Sequence, residues 1–237
     1  MKISKRINRL FDHRNRSRRA VHFLHVGKAA GTQVKQIAAR SGGRIIAHKH
    51  DINLRDLPKD AAYFFSIRDP ISRFYSGFYS RQRKGQPTYF VEWTAAEEAV
   101  FREFRHANDL AEALFSDGVI GLSAAQAMIS IRHTGQNLTS WFLRHGNILE
   151  VRPPVWIIRQ DRFDDDLRIT LGRIGLADLY DGPQQRAHAN SYDKTPPLSD
   201  KAKANLKRWY AQDYEFIRVC NAWLAANSKE TSASGQP

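Results

Sequence analysis

The sequence predicts an α/β fold: a central parallel sheet flanked by helices, with a largely helical C-terminal half. Three observations carry this expectation. Short apolar runs of strand-forming residues alternate with helical stretches in the first third of the chain, the order that builds parallel sheets buried on both faces. Two of those runs stop at turn-forming residues that lead straight into a helical pattern. Beyond Thr94 the apolar spacing is mainly helical, interrupted by one further strand-like run.

The elements follow in order. Val21 to Val26 (VHFLHV) is rich in strand formers and is stopped by Gly27. Thr32 to Ala39 has helical character, and Arg44 to Ala47 is a weaker second strand introduced by Gly42-Gly43. Ala61 to Ile67 (AAYFFSI) is the clearest strand; it ends at Arg68-Asp69-Pro70, where Pro70 suits the first turn of a new helix. Thr94 is placed to cap a helix running through Phe104, with Glu97 as its capping-box partner. Asp109 to Phe115 and Ser123 to Ile131 read as short helices, and Val155 to Ile158 as a strand leading into a helix from Asp164 to Ile174. Gly182, Pro183, Pro196 and Pro197 mark 181–198 as a loop. Leu198 to Ala226 returns to helix, and the small polar residues of 227–237 are expected to form a disordered tail. The expected organisation is a basic arm (1–20), one domain (21–226) and that tail.

Composition narrows the chemistry. With 237 residues, 42% of them hydrophobic, the chain can bury a full core, and its formal charge of +13 draws in anions. Nucleic acid, acidic membrane, phosphorylated cofactor and anionic saccharide all remain open on charge alone. Within the first twenty residues eight are Lys or Arg, against Asp12 alone. Such an arm is either a solvated tail or, given Ile3, Ile7, Leu10 and Phe11 at helical spacing, a peripheral contact with an acidic membrane. No apolar leader run follows the basic start, and no stretch approaches the roughly 20 apolar residues of a membrane span. Cys220 is the only cysteine, which rules out an internal disulfide and a thiolate metal site, and its apolar setting suits a buried structural thiol. A cytoplasmic protein is expected.

Two segments carry chemistry. His25-Val26-Gly27-Lys28-Ala29-Ala30-Gly31-Thr32 joins the first strand to the first helix. A tight backbone turn there points successive N–H groups into one concavity, the helix start adds unpaired donors, Lys28 a full charge and Thr32 a hydroxyl. This is not the nucleotide-triphosphate loop G-x-x-x-x-G-K-[ST], since Lys28 precedes Gly31 by three positions. The second segment, Ser66-Ile67-Arg68-Asp69-Pro70-Ile71-Ser72-Arg73-Phe74-Tyr75-Ser76-Gly77-Phe78-Tyr79, ends a strand on arginine at the carboxyl edge of the sheet, where ligands bind in open α/β folds. If the helix opened by Pro70 folds back past the strand end, Arg68 and Ser76 can grip one phosphate together. Arg73 reads as a helix-surface residue or a partner of Asp69, and Tyr75, Phe78 and Tyr79 as packing aromatics.

The first segment resembles the 5'-phosphosulfate loop of the sulfotransferases, H-x-[PG]-K-[TA]-[GA]-G-T, and the second their 3'-phosphate signature, Arg-Asp-Pro-x-x-Arg-x-x-Ser-x-[FY]. The resemblance implies a P-loop-like central sheet and the co-substrate 3'-phosphoadenosine 5'-phosphosulfate. It places the 5' end at Gly27, Lys28, Ala29, Ala30, Gly31 and Thr32, and the 3'-phosphate at Arg68 and Ser76. Transfer to an alcohol needs a base for the acceptor proton and a cation for the leaving phosphate. Histidine suits the first task and Lys28 the second, so no metal is demanded. His48-Lys49-His50-Asp51 follows the second strand and resembles the catalytic histidine region of the glycan sulfotransferases. By that resemblance His50 is the preferred base, with His48 as the alternative.

The alternative is that both are loop histidines on a basic surface, and an H-x-H metal site lacks a persuasive third ligand. His22 and His25 alternate on the first strand, so one of them can face the site, although packing within the strand is the more ordinary role for both. Trp156 to Phe163 resembles a later family segment that carries glutamate where Gln160 or Asp161 stands, and His188-Ala189-Asn190 one that closes over the nucleotide. The implied acceptor is a glycan, glycolipid or other hydroxylated molecule, with Trp93, Trp141, Arg81 and Arg83 as groove candidates; nucleic acid is not expected. A P-loop kinase or nucleotide hydrolase, and a charge-driven binding module, are the competing functions.

Overall fold

The computed structural model describes residues 20–142, 148–183 and 195–233. The basic arm up to residue 19 and the His188-Ala189-Asn190 segment lie outside the described residues. The chain divides into two compact units. The first gathers residues up to Ile67, Ser140–His188 and Val219 onward; the second gathers Arg68–Thr139 and Ala189–Arg218. Linear sequence does not disclose such a division, because each unit closes only when segments far apart in the chain meet.

In the first unit, strands β1 (Val21–Leu24), β2 (Ile45–Ala47), β3 (Tyr63–Ile67) and β4 (Ile157–Arg159) form a four-stranded sheet in the order β2-β1-β3-β4. Every pairing is parallel, with Val21 opposite Ile45, His22 opposite Tyr63, and Phe65 opposite Ile157. The α/β class and the parallel sheet are as the sequence predicts. Strand alternation sends Phe23 and Phe64 to one face, where Ile158 joins them. Helix α1 (Gly31–Arg40) covers that face with Val34 and Ile37, and α7 (Phe163–Arg173) with Phe163, Leu167 and Leu171. On the opposite face Tyr63 and Phe65 lie 6.3 Å apart, and Phe142 packs on Phe65 at 4.5 Å.

The end of β4 is tied to α7 by one fully buried carboxylate. Asp166 accepts from Arg159 Nε and Nη2, from the Arg159 backbone N–H, and from Trp156 Nε1. This is the carboxylate the Trp156–Phe163 segment uses; Asp161 itself is exposed.

The second unit is helical. Helix α2 (Pro70–Gln82) starts with Pro70 and is capped by Asp69, whose carboxylate accepts from Ser72 N at 2.7 Å. Helix α3 (Ala95–Glu103) carries the predicted Thr94–Glu97 capping box. Helices α4 (Ala107–Ala113), α5 (Gly118–Ser130) and α8 (Asp200–Trp209) follow, with the short α6 (Ile148–Val151) belonging to the first unit. The expected continuous helix over 198–226 is instead two helices broken at Tyr210, α8 and α9 (Ala211–Ala233). Helix α9 also runs past 227, where the tail was expected to begin, because nothing in 227–233 is proline or glycine to stop it. Its residues from Val219 on belong to the first unit; there Trp223 packs edge-on against Trp156, and Cys220 is buried, which pushes its thiol up.

Two buried ion pairs stand among the aromatics of the second unit. Arg81 donates from Nε and Nη2 to both oxygens of Glu97, at 2.7 Å each, and both side chains are almost fully buried. Arg73 lies 3.7 Å from Asp213 and donates to the Gln136 carbonyl, so it is neither a surface residue nor the partner of Asp69. Truncating one partner of such a pair strands the other charge. Glu97→Ala is therefore expected to lose about 3 kcal/mol of unfolding free energy, measured by urea denaturation, against under about 1 kcal/mol for the exposed pair variant Glu98→Ala.

Candidate functional site

The loop after β1 turns by an unexpected route. Its left-handed residues are Lys28 (φ 66°) and Ala30 (φ 63°), not its glycines. Non-glycine residues hold this conformation at a cost of about 1 kcal/mol or more each, and here they are held by their surroundings. Ala29 is buried, and its carbonyl accepts from the hydroxyl of Ser66 on β3. Alternating left-handed turns aim neighbouring backbone N–H groups into one concavity. Helix α1 opens directly after, and its cap residue Ala30 offers no side-chain acceptor to the first-turn amides. Lys28 is half-buried and Thr32 exposed at this opening.

Gly31 serves a purpose other than torsional freedom. A β-carbon there would lie 1.7 Å from His25 Nε2. The His25 imidazole thus crosses over the first residue of α1. It stacks on Phe23 at 5.6 Å and meets the His50 ring at 3.8 Å between centroids. Burial lowers its pKa to about 3, with the nearby His50 and Lys35 pushing the same way against a hydrogen bond to the His48 backbone. His25 is therefore neutral throughout the physiological range.

The other histidines pair as well. His22 Nδ1 and His48 Nε2 are 2.8 Å apart, with the rings stacked at 5.0 Å. Burial, and then His22, hold His48 below the ordinary histidine range. His50 is anchored differently: its Nδ1 lies 3.2 Å from the His25 carbonyl, and its own carbonyl accepts from Trp141 Nε1 at 3.0 Å. A carbonyl can only accept, so this contact puts the proton of neutral His50 on Nδ1 and makes Nε2 the basic nitrogen. The first unit thus brings together His22, His25, His48 and His50 beside the loop of Gly27 to Thr32. The participation of both strand histidines was visible in the sequence only as alternation along β1.

In the second unit, Arg68 is half-buried and donates from Nε and Nη2 to Ser72 Oγ, at 2.9 and 2.7 Å. Ser72, one helical turn from Arg68, is a hydroxyl that the sequence motifs do not single out. Ser76 is buried on α2. Asp69 accepts from Tyr214 Oη besides capping α2, and Tyr75 shares a hydrogen bond with Thr195. All four groove candidates have structural partners: Trp141 holds His50, Arg81 is locked to Glu97, Trp93 donates from Nε1 to the Arg81 carbonyl, and Arg83 donates from Nε to the Gln86 carbonyl. Arg83 is half-buried.

Among the described residues no three His, Cys, Asp or Glu side chains come together as a metal site, and no helix is long and apolar enough to cross a membrane. Compared with known proteins, the chain matches no family model, and no curated protein or solved structure gives a significant match.

The packing of His25 makes two expectations. Gly31→Ala forces the ring out of a filled space and should cost about 1–3 kcal/mol, whereas in a His25→Ala background the same change should be close to neutral; a double-mutant cycle by urea denaturation measures the difference. The second concerns pH. Between the unfolded value of 6.5 and the folded value of about 3, the unfolded chain binds one more proton at this site than the native chain does. Stability should then fall by about 1.4 kcal/mol per pH unit as acid is added below pH 6.5. His25→Leu should remove that component, read from denaturation at successive pH values between 7 and 5; an unchanged slope would contradict a neutral buried His25.

Proposed function

We propose that this chain is a sulfotransferase with a P-loop-like donor site, moving the sulfonyl group of 3'-phosphoadenosine 5'-phosphosulfate to a hydroxyl of a glycan, glycolipid or similar acceptor. The observation that carries this reading is the union, in one unit, of an anion-cradling loop bearing Lys28 with a histidine whose tautomer presents a basic Nε2. An ATP-hydrolysing site would call for lysine after the second glycine and for magnesium ligands; here Lys28 stands before Gly31.

In the proposed reaction His50 Nε2 accepts the proton of the acceptor hydroxyl as its oxygen attacks sulfur in line. The bond from sulfur to the bridging phosphate oxygen breaks, and 3'-phosphoadenosine 5'-phosphate leaves with the electron pair. Backbone N–H groups of the Gly27–Thr32 loop and Lys28 take up the charge that grows on its 5'-phosphate. His48 is the weaker candidate for base, because its Nε2 is engaged with His22 Nδ1. The 3'-phosphate is assigned to Arg68 and Ser76 by the resemblance of their segment to the sulfotransferase signature. A glycan or glycolipid acceptor is the part of the proposal that rests on resemblance alone.

The test pairs binding with turnover. Titration calorimetry should show adenosine 3',5'-bisphosphate binding more tightly than ATP with magnesium, and Arg68→Ala should erase that preference. His50→Ala should lower sulfonyl transfer from labelled donor by about 10²–10⁴-fold while leaving bisphosphate binding intact. Lys28→Ala should lower it by about 10²–10³-fold. Tight ATP–magnesium binding with hydrolysis would favour the kinase or hydrolase reading instead.

A further inference from the structure

Helix α5 has apolar residues on two opposite sides. Ala124, Ala127 and Met128 face the core of the second unit, and Ile131 continues that side. On the other side Val119, Leu122 and Ile129 are 81%, 73% and 63% exposed, with Gln126 between the last two. From Gly118 through Ile131 there is no charged residue, in a chain where 26% of residues are charged. A helix apolar all round belongs where both sides are covered. Val119, Leu122, Gln126 and Ile129 are spaced by three, four and three residues, the spacing of a two-helix seam.

The surroundings decide what covers it. The uncharged stretch is bounded by Asp117 before it and Arg132 after it, both exposed. On its flanks, Glu103 accepts from Ser123, and the Arg208 guanidinium lies 3.9 Å over the Phe115 ring. The border therefore holds two acids and two bases, an arrangement that complements itself. An anionic bilayer would have to take Asp117, Glu103 and Gln126 along with the apolar residues, so a lipid surface fits less well despite the net charge of +13.

We propose that the outer side of α5 is a homodimer contact, in which α5 packs antiparallel against α5 of a second copy across a two-fold axis. In that order Val119 faces the partner's Ile129, Leu122 faces the partner's Gln126, and Asp117 lies at the end where the partner's Arg132 stands. A parallel arrangement would set Asp117 beside the partner's Asp117 and align the two helix dipoles unfavourably. Gln126 at the seam selects register, as single polar residues do in helix pairs. A few exposed apolar side chains cover less than the roughly 800 Å² per partner of a standard interface, so the dimer is a weak one, with a dissociation constant on the order of micromolar.

Sedimentation of the full chain over about 1–200 μM tests this across the expected dissociation range. The wild-type chain should pass from monomer to dimer in that range. Leu122→Glu should weaken the dimer by about 100-fold, with the circular dichroism spectrum unchanged; Leu122→Gln is the milder variant should the first misfold. Asp117→Arg should weaken it too, and Asp117→Arg combined with Arg132→Asp should restore it, which a purely apolar contact would not do. A chain that stays monomeric throughout, or a dimer indifferent to both Leu122 variants, overturns the proposal. So does a monomer that co-sediments with phosphatidylglycerol vesicles and loses that binding in Leu122→Glu, since lipid would then be what covers α5.

Discussion

The imidazole of His25 occupies the space that a β-carbon on residue 31 would need. Much of the first unit's candidate chemistry depends on that one fit. The ring can lie there because residue 31 is glycine, and it stays neutral because burial outweighs any gain from protonation. A charged imidazole at this spot would face the His50 ring and the field of Lys35, both of which oppose it. Kept neutral, His25 fills the angle between β1 and the start of α1. Its backbone carbonyl is then in place to accept from His50 Nδ1.

This arrangement links two segments to which the proposed reaction gives different tasks. The strained turn through Lys28 and Ala30 is fastened from below by Ser66, and its far end is fastened by the His25–Gly31 contact. Strain at a loop of this kind is informative because glycine would have relieved it more cheaply. The torsional cost falls on Lys28, the residue whose charge the proposed reaction needs, and not on Gly27 or Gly31. His50 is oriented from two directions, by the His25 carbonyl and by Trp141. In the proposed reaction, a base held in one tautomer has less reorganisation left to do when a proton arrives.

The second unit handles charge in another way. Arg73 and Arg81 sit one above the other along α2 at a spacing of eight residues, and each buries its guanidinium against a carboxylate from a different helix. Glu97 serves twice, closing the cap of α3 while receiving Arg81. Arg68, at the start of the same unit, is half-buried and donates to the hydroxyl of Ser72.

Strand and helix identity, the Thr94–Glu97 box, the Asp69-Pro70 helix start and the position of the loop from Gly27 to Thr32 between β1 and α1 follow from the sequence by itself. Each depends on residues a few positions apart, whose torsional preferences and hydrogen bonds act locally. The tertiary structure alone decides that Arg73 meets Asp213 rather than Asp69, that Trp141 supports His50 rather than a ligand, and that His25 lies across Gly31. The first two hang on contacts between segments far apart along the chain, 140 positions for Arg73 and Asp213, for which no local pattern exists; the third, though close in sequence, depends on how β1 meets α1. The same holds for the proton on His50: residue type offers two nitrogens, and only the carbonyl of a neighbouring strand end selects between them.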